Sequence, residues 1–265
     1  MIYTMLAYIH WNASPEIVTL GPLTLRWYGL LFATGFLVGL FLVKKKFDAE
    51  NIPEAWLDKL FIYMVVGAIL GARLGHVFFY EWGYYRQHLD EIIKVWNGGL
   101  ASHGGAIGIL LALWLYSRRI TKKSLLWIFD RVVAAIALAG FFIRMGNLMN
   151  SEIIGRQTDV PWAFIFEKVD QVPRHAVQLY EALFYLVSFV ILYLVYWKTD
   201  KRKKEGYIFG LFLLLIWGGR FMLEFFKEDL GGIQSYFGNV LTTGQLLSIP
   251  LILWGVYLVF RRKES

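Results

Sequence analysis

Residues 125–149 read LLWIFDRVVAAIALAGFFIRMGNLM, a run of 25 residues whose charges are Asp130, Arg131 and Arg144. As a helix rising 1.5 Å per residue, a run of this length spans the roughly 30 Å of hydrocarbon in a bilayer. Apart from those charges it is apolar on every side, as lipid demands and water does not. Working outward, comparable runs lie at 23–43, 60–80, 100–116, 179–197, 207–226 and 241–260, the third of them short. The pattern predicts an all-α integral membrane protein with seven transmembrane helices, residues 1–265 forming a single polytopic membrane domain. Composition agrees. The chain is 57% hydrophobic and 18% charged, against about 25% charged in soluble proteins, and its mean hydropathy is +0.50. A disordered chain and a soluble enzyme are both excluded. With no cysteine there is no disulfide, thiolate metal site or cysteine nucleophile. The histidines are scattered without ligand spacing, so neither metal nor cofactor is expected.

Basic residues orient the spans. Loops at 44–59, 118–123, 198–204 and 261–263 carry sixteen lysines and arginines; the opposite loops carry six, Arg86, Lys94, Arg156, Lys168, Arg174 and Lys227. The positive-inside rule makes the first set cytoplasmic, with the amino terminus outside and the carboxyl terminus inside. The net charge of +7 then reflects topology and contact with anionic membrane lipids, not nucleic-acid binding. Residues 1–22 have neither a basic n-region nor a clear small-residue cleavage site, so they read as an outer interfacial segment and not a removed signal peptide. Residues 81–98 form an expected interfacial arm, with Leu89, Ile92, Ile93 and Trp96 at helical spacing beside Trp82, Tyr84 and Tyr85. Residues 147–178 are the longest connection, an outer-face insert in which PWAFIFEKV (161–169) reads as a strand or hairpin arm. No internal repeat is present.

Five arginines remain in or at the ends of spans: Arg26, Arg73, Arg131, Arg144 and Arg220. Each costs roughly 2.5–3.5 kcal/mol near mid-bilayer and needs a partner or a purpose. Arg26 opens span one and Arg131 sits beside Asp130, so both can snorkel. Arg73, Arg144 and Arg220 fall toward the outer ends of their runs. Tyr28, His103, Asn147, Asn150, Glu152, His175, Gln178, Glu181 and Glu224 fall at the same level. A structural network would look similar, with Arg220 and Glu224 pairing at i,i+4, but an excess of arginine over carboxylate favours an anionic ligand such as a phosphate. His103 is flanked by Gly98, Gly99, Gly104, Gly105 and Gly108, and reads equally as a bonded core residue or a base. The series Gly67, Gly71, Gly75 and the pairs Gly35/Gly39 and Gly104/Gly108 suit close helix packing. An anion channel or transporter would also use arginines, but should show inverted repeats and broken helices. A structural scaffold would not need these cations.

Several strings together resemble one family: RWYGLLFATGF (26–36), GGLASHGGAIG (98–108), IRMGNLMNSEIIGR (143–156) and GGRFMLEFFKE (218–228), supported by RHAVQLYEA (174–182) and TTGQLLSIP (242–250). The chain resembles the bacterial phosphatidylglycerol–prolipoprotein diacylglyceryl transferases over nearly its whole length. The resemblance implies a seven-span enzyme of the bacterial plasma (inner) membrane. It would move diacylglycerol from phosphatidylglycerol to the lipobox cysteine of a prolipoprotein signal peptide, forming a thioether and releasing glycerol phosphate. It implies His103, Arg144 and Arg220 as catalytic residues. Tyr28, Asn147, Asn150, Glu152, Gly155, Arg156 and Glu224 would join Arg144 in binding substrate. Two departures stand out: Ile143 replaces a glycine usual in the family, and Ala176-Val177 replace Pro-Ser in the string that ends at Glu181.

Overall fold

The structure is a computed structural model that describes residues 8–21, 23–95, 98–228 and 240–262, mostly helical. In chain order the elements are β1 (Ile9–Trp11), β2 (Glu16–Leu20), β3 (Leu23–Arg26), α1 (Trp27–Ala49), α2 (Glu54–Phe79), α3 (Trp82–Tyr85), α4 (Ser102–Tyr116), α5 (Leu125–Met149), β4 (Phe164–Phe166), β5 (Pro173–Arg174), α6 (Val177–Lys198), α7 (Tyr207–Leu223) and α8 (Thr243–Phe260). Among the described residues, six helical segments are long and apolar enough to cross a membrane: α1, α2, α5, α6, α7 with its extension to Phe226, and α8. The expected third span is the fifteen-residue α4, which continues into a π-helical turn at Ser117–Thr121. Large apolar side chains stand exposed along these helices, among them Phe32, Leu37 and Phe41 on α1 and Ile62, Val66 and Ile69 on α2. Such faces suit lipid.

Among the described residues, five short strands accompany the helices. Residues 23–26, expected to open span one, instead form β3, paired antiparallel with β2 through Thr19 with Thr24 and Leu20 with Leu23. A strand here exposes alternate side chains while the ladder satisfies the backbone, and Arg26 faces Glu16 at 3.6 Å. The 161–169 segment does supply a strand: β4 pairs parallel with β1 and antiparallel with β5. Leu148, Phe164, Phe166 and Ala176 form a small core covered by Trp11, Met145, Ile154 and Leu179. Trp11 Nε1 donates to the Leu148 carbonyl at 3.0 Å, fixing β1 to the end of α5.

Two compact units divide the chain, one of residues 42–128, the other of 1–41 with 129–265. Within the first, α2 and α4 pack backbone to backbone. A Cβ on Gly75 would lie 2.7 Å from Gly104 Cα, and one on Gly67 2.6 Å from Ala112 Cβ, so the small-residue spacing serves helix contact. Arg73, 3% exposed, donates from Nε to Ile92 O (2.8 Å), from Nη2 to Glu91 O (2.6 Å) and from Nη1 to Gly98 O and Gly99 O (2.7 and 3.2 Å). It thereby ties the 81–98 arm to α2. That arm is two short turns, α3 and a 3-10 turn at Leu89–Glu91, with Leu89 62% and Ile93 74% exposed; Trp96 lies outside the described residues.

In the other unit, Gly35 and Gly39 of α1 admit Phe142 and Ala135 of α5, with a Gly35 Cβ only 3.1 Å from Phe142 Cδ2. Asp130 accepts the N–H groups of Gly206 (2.6 Å) and Phe209 (2.8 Å), satisfying orphan donors where α7 begins. Helix α8 opens on a capping box between Thr242 and Gln245. Phe184 of α6 sits against Gly219 of α7, and Tyr185 against Gly140 of α5. These contacts align the Met149 end of α5, the Val177 end of α6 and the Leu223 end of α7.

Candidate active site

Three residues apart on the last turns of α5, Arg144 and Asn147 share a helix face. Arg144 Nη1 donates to Asn147 Oδ1 at 3.2 Å, Asn147 Nδ2 to Glu152 Oε2 at 3.1 Å, and Asn150 Nδ2 to Glu152 Oε1 at 3.1 Å. Both carboxylate oxygens of Glu152 are thus held by amides. The chain reverses sharply to bring Glu152 there. Ser151 and Ile153 take φ of 55° and 56°, a conformation costing about 1–3 kcal/mol outside glycine and least suited to a β-branched side chain. The Glu152 N–H to Asn147 O bond of 2.9 Å, the Ser151 N–H to Leu148 O bond of 3.1 Å and the Gly155 N–H to His175 O bond of 2.9 Å impose it.

The signature glycines serve close approach. A Cβ on Gly146 would lie 2.8 Å from Tyr28 Cδ2, so Tyr28, in the first turn of α1, packs directly on α5. At Gly155 a Cβ would meet Val177 Cγ2 at 2.5 Å and the carbonyls of Phe226 and His175 at 2.6 and 2.7 Å. This glycine lets backbones meet. Arg156 is exposed, its N–H bonding Phe226 O at 2.9 Å and its carbonyl accepting the His175 N–H at 3.1 Å.

One carboxylate joins the helices. Glu181, on α6 and 4% exposed, faces Arg144 Nε at 2.7 Å and Lys227 Nζ at 2.8 Å. Lys227 also reaches Glu224 at 3.3 Å. The Glu224 carboxylate lies against Gly244 in the first turn of α8, where the helix dipole favours negative charge. Arg220 does not pair with Glu224 as an i,i+4 reading allowed. Its guanidinium lies 5.6 Å from the Trp217 ring centroid, within cation–π range, and its buried Nε has no partner among the described residues. A tight crevice between α6 and α7 is lined by Glu181, Phe184, Tyr185, Ile216, Arg220 and Leu223. Arg144 thus pairs with this buried carboxylate, while Arg220 lines the crevice that Glu181 also lines.

Beside this cluster Arg174 pairs with Asp170 at 2.7 Å and with Glu228; the Arg174 hydrogen bond holds the Asp170 carboxyl below its usual range. His175 Nδ1 lies 3.2 Å from the Tyr180 hydroxyl. Burial, and next the charge of Arg156, push the His175 pKa down from its ordinary value.

Of the residues expected from sequence, Tyr28, Arg144, Asn147, Asn150, Glu152, Gly155, Arg156, Arg220 and Glu224 all belong to one unit, and His103 stands exposed in the first turn of α4 in the other. Arg73 is consumed structurally. Two central residues carry only weak signals in the sequence: Glu181 is one member of the polar layer and Lys227 one of the outer-loop charges. Their signal was spacing, since Lys227 follows Glu224 by one helical turn. The expected surplus of positive charge is not found among these groups, for Arg144, Arg220 and Lys227 are matched in number by Glu152, Glu181 and Glu224. What the cluster has in excess is unused hydrogen-bonding capacity. Among the described residues, six buried side-chain atoms have neither a hydrogen-bond partner nor an ion-pair contact, and five of them belong to Asn150, Ser151, Gln178 and Arg220. Unmet buried polar atoms each cost about 1–3 kcal/mol, and their concentration marks a place built for a polar ligand or ordered water.

Comparison with known proteins points the same way. A family profile described as "Prolipoprotein diacylglyceryl transferase" matches residues 15–261. A phosphatidylglycerol–prolipoprotein diacylglyceryl transferase of Chloroherpeton thalassium is 51% identical over 257 residues, covering 96% of this chain and 94% of that protein. Proteins of the same name from Tolumonas auensis and Porphyromonas gingivalis are 47% and 43% identical, covering 95% and 99% of this chain.

Proposed function

The chain belongs to the prolipoprotein diacylglyceryl transferase family, and from that premise we propose that the Arg144 cluster is where it carries out its transfer. The protein is a transferase that moves the diacylglyceryl group of phosphatidylglycerol to a prolipoprotein, the first step of lipoprotein maturation. The acceptor is the lipobox cysteine thiol of the signal peptide. Its sulfur attacks the glycerol C3 carbon of the lipid, an S–C bond forms, the C–O bond breaks, and the electron pair leaves with the phosphate as glycerol phosphate. The thiol, with an ordinary pKa of about 8.5, gives up its proton to a general base in this step.

Charge grows on the departing phosphate, and guanidinium groups aimed at it in a water-poor site are its natural stabilisers. Arg144 and Arg220 take that role. Glu181 holds Arg144 by Nε, and among the described residues no hydrogen bond engages Arg144 Nη2 or Arg220. Asn147, Asn150 and Glu152 fix the Arg144 side chain from the other side, and Tyr28 packs beneath it on Gly146. The site lies at the outer leaflet of the inner membrane, with the amino terminus outside and the carboxyl terminus cytoplasmic. Seven spans follow from this, α4 and its π-turn forming the third. The observation that carries the reading is the buried Glu181, which pairs with Arg144 and lines one crevice with Arg220.

The test is purified protein with phosphatidylglycerol labelled in its diacylglyceryl glycerol and a lipobox peptide. Label on the peptide in thioether linkage is expected. Intact protein that transfers none, or Arg144→Lys and Arg220→Lys variants that both keep full activity, would overturn the assignment of the phosphate to these arginines.

A further inference from the structure

Gln178 is fully buried at 0% exposure, yet neither Oε1 nor Nε2 has a partner among the described residues. It lies one helical turn before Glu181 on the buried face of α6, the face that meets Arg144 and Lys227. A primary amide offers two donors and an acceptor. The chemistry of the candidate fillers separates them. A phosphate oxygen only accepts and would leave Oε1 unmet; an ammonium only donates and would leave Nε2 unmet. A hydroxyl does both. We propose that Gln178 reads a hydroxyl of the head-group glycerol and so sets the enzyme's preference for phosphatidylglycerol over lipids whose phosphate carries another alcohol.

This rests on the transferase reading and adds to it a specificity-determining residue placed beside the phosphate site. A polar pocket that loses its hydroxyl is left with unpaired buried groups, and discrimination by that route far exceeds what apolar contacts supply.

The experiment compares phosphatidylglycerol with two synthetic lipids lacking either the 2- or the 3-hydroxyl of the head-group glycerol, each assayed with wild-type protein and with Gln178→Met. The wild type should prefer phosphatidylglycerol over at least one deoxy lipid by roughly tenfold or more in kcat/KM. In Gln178→Met that preference should fall close to one, through loss of transfer from phosphatidylglycerol and not from the deoxy lipid. Because the readout is a ratio within one protein, a partly folded preparation does not distort it. If the methionine variant does not fold, Gln178→Leu, which also has no hydrogen-bonding group, carries the same ratio. A wild type that uses all three lipids equally, as expected if an ordered water fills the amide, overturns the proposal, as does a variant that keeps the wild-type ratio. Absence of transfer from phosphatidylglycerol itself would instead sink the transferase reading.

Discussion

Arg73 and Arg144 are both arginines near the ends of apolar helices, and both are largely withdrawn from solvent. Their partners differ in kind. Arg73 spends its guanidinium on four backbone carbonyls, groups that carry no net charge and cannot rotate away, so the side chain is a rivet between α2 and the arm. Arg144 meets an amide and a carboxylate side chain, and that carboxylate is shared with a lysine. The carboxylate takes Nε and the amide Nη1, which leaves Nη2 for an incoming anion. A cation buried in a membrane helix therefore says little about function until the nature of its partners is known.

Substitution should separate the two sharply. Arg144→Lys removes the fork while keeping the charge and should lower kcat/KM by roughly 10²–10³-fold, with small change in thermal unfolding in detergent. Equal activity would erase the distinction. Glu181→Gln keeps shape but releases Arg144 and Lys227 from their common anchor; misplacement of the guanidinium should cost on the order of 10²-fold in kcat. Restored activity in a variant that also neutralises Lys227 would show that charge, not position, was at stake. Arg73→Lys should do the opposite of Arg144→Lys. Carbonyls left unmet cost about 1–3 kcal/mol each, read as a lower melting temperature, while kcat per folded molecule stays near wild type.

The smallest effect is pH-dependent. His175 has its pKa depressed in the folded protein by burial and by Arg156, so the unfolded chain binds the proton more readily. Its contribution to stability is full above about pH 6.5 and declines as pH falls from there toward the lowered folded value. His175→Gln should flatten that part of the melting profile.

The helices were legible because lipid forces long apolar runs, and the 125–149 run coincides with α5. Residues 23–26 misled for a physical reason: Leu23, Thr24 and Leu25 are apolar enough to extend a span, and only pairing with a distant partner, Glu16–Leu20, reveals the strand. The parallel contact of β1 with β4 joins residues about 155 apart in the chain, beyond any local pattern. Within the site, the string from Arg144 to Arg156 showed its amides and carboxylate because they lie close in sequence. The link from Arg144 through Glu181 to Lys227 crosses three elements, and no spacing rule could announce it.

The most direct test is an experimental structure with phosphatidylglycerol bound. The account predicts the phosphate within hydrogen-bonding distance of the guanidinium groups of Arg144 and Arg220, with Glu181 still holding Arg144. A phosphate seated away from both arginines, with Arg144 and Glu181 closed on each other, would contradict it.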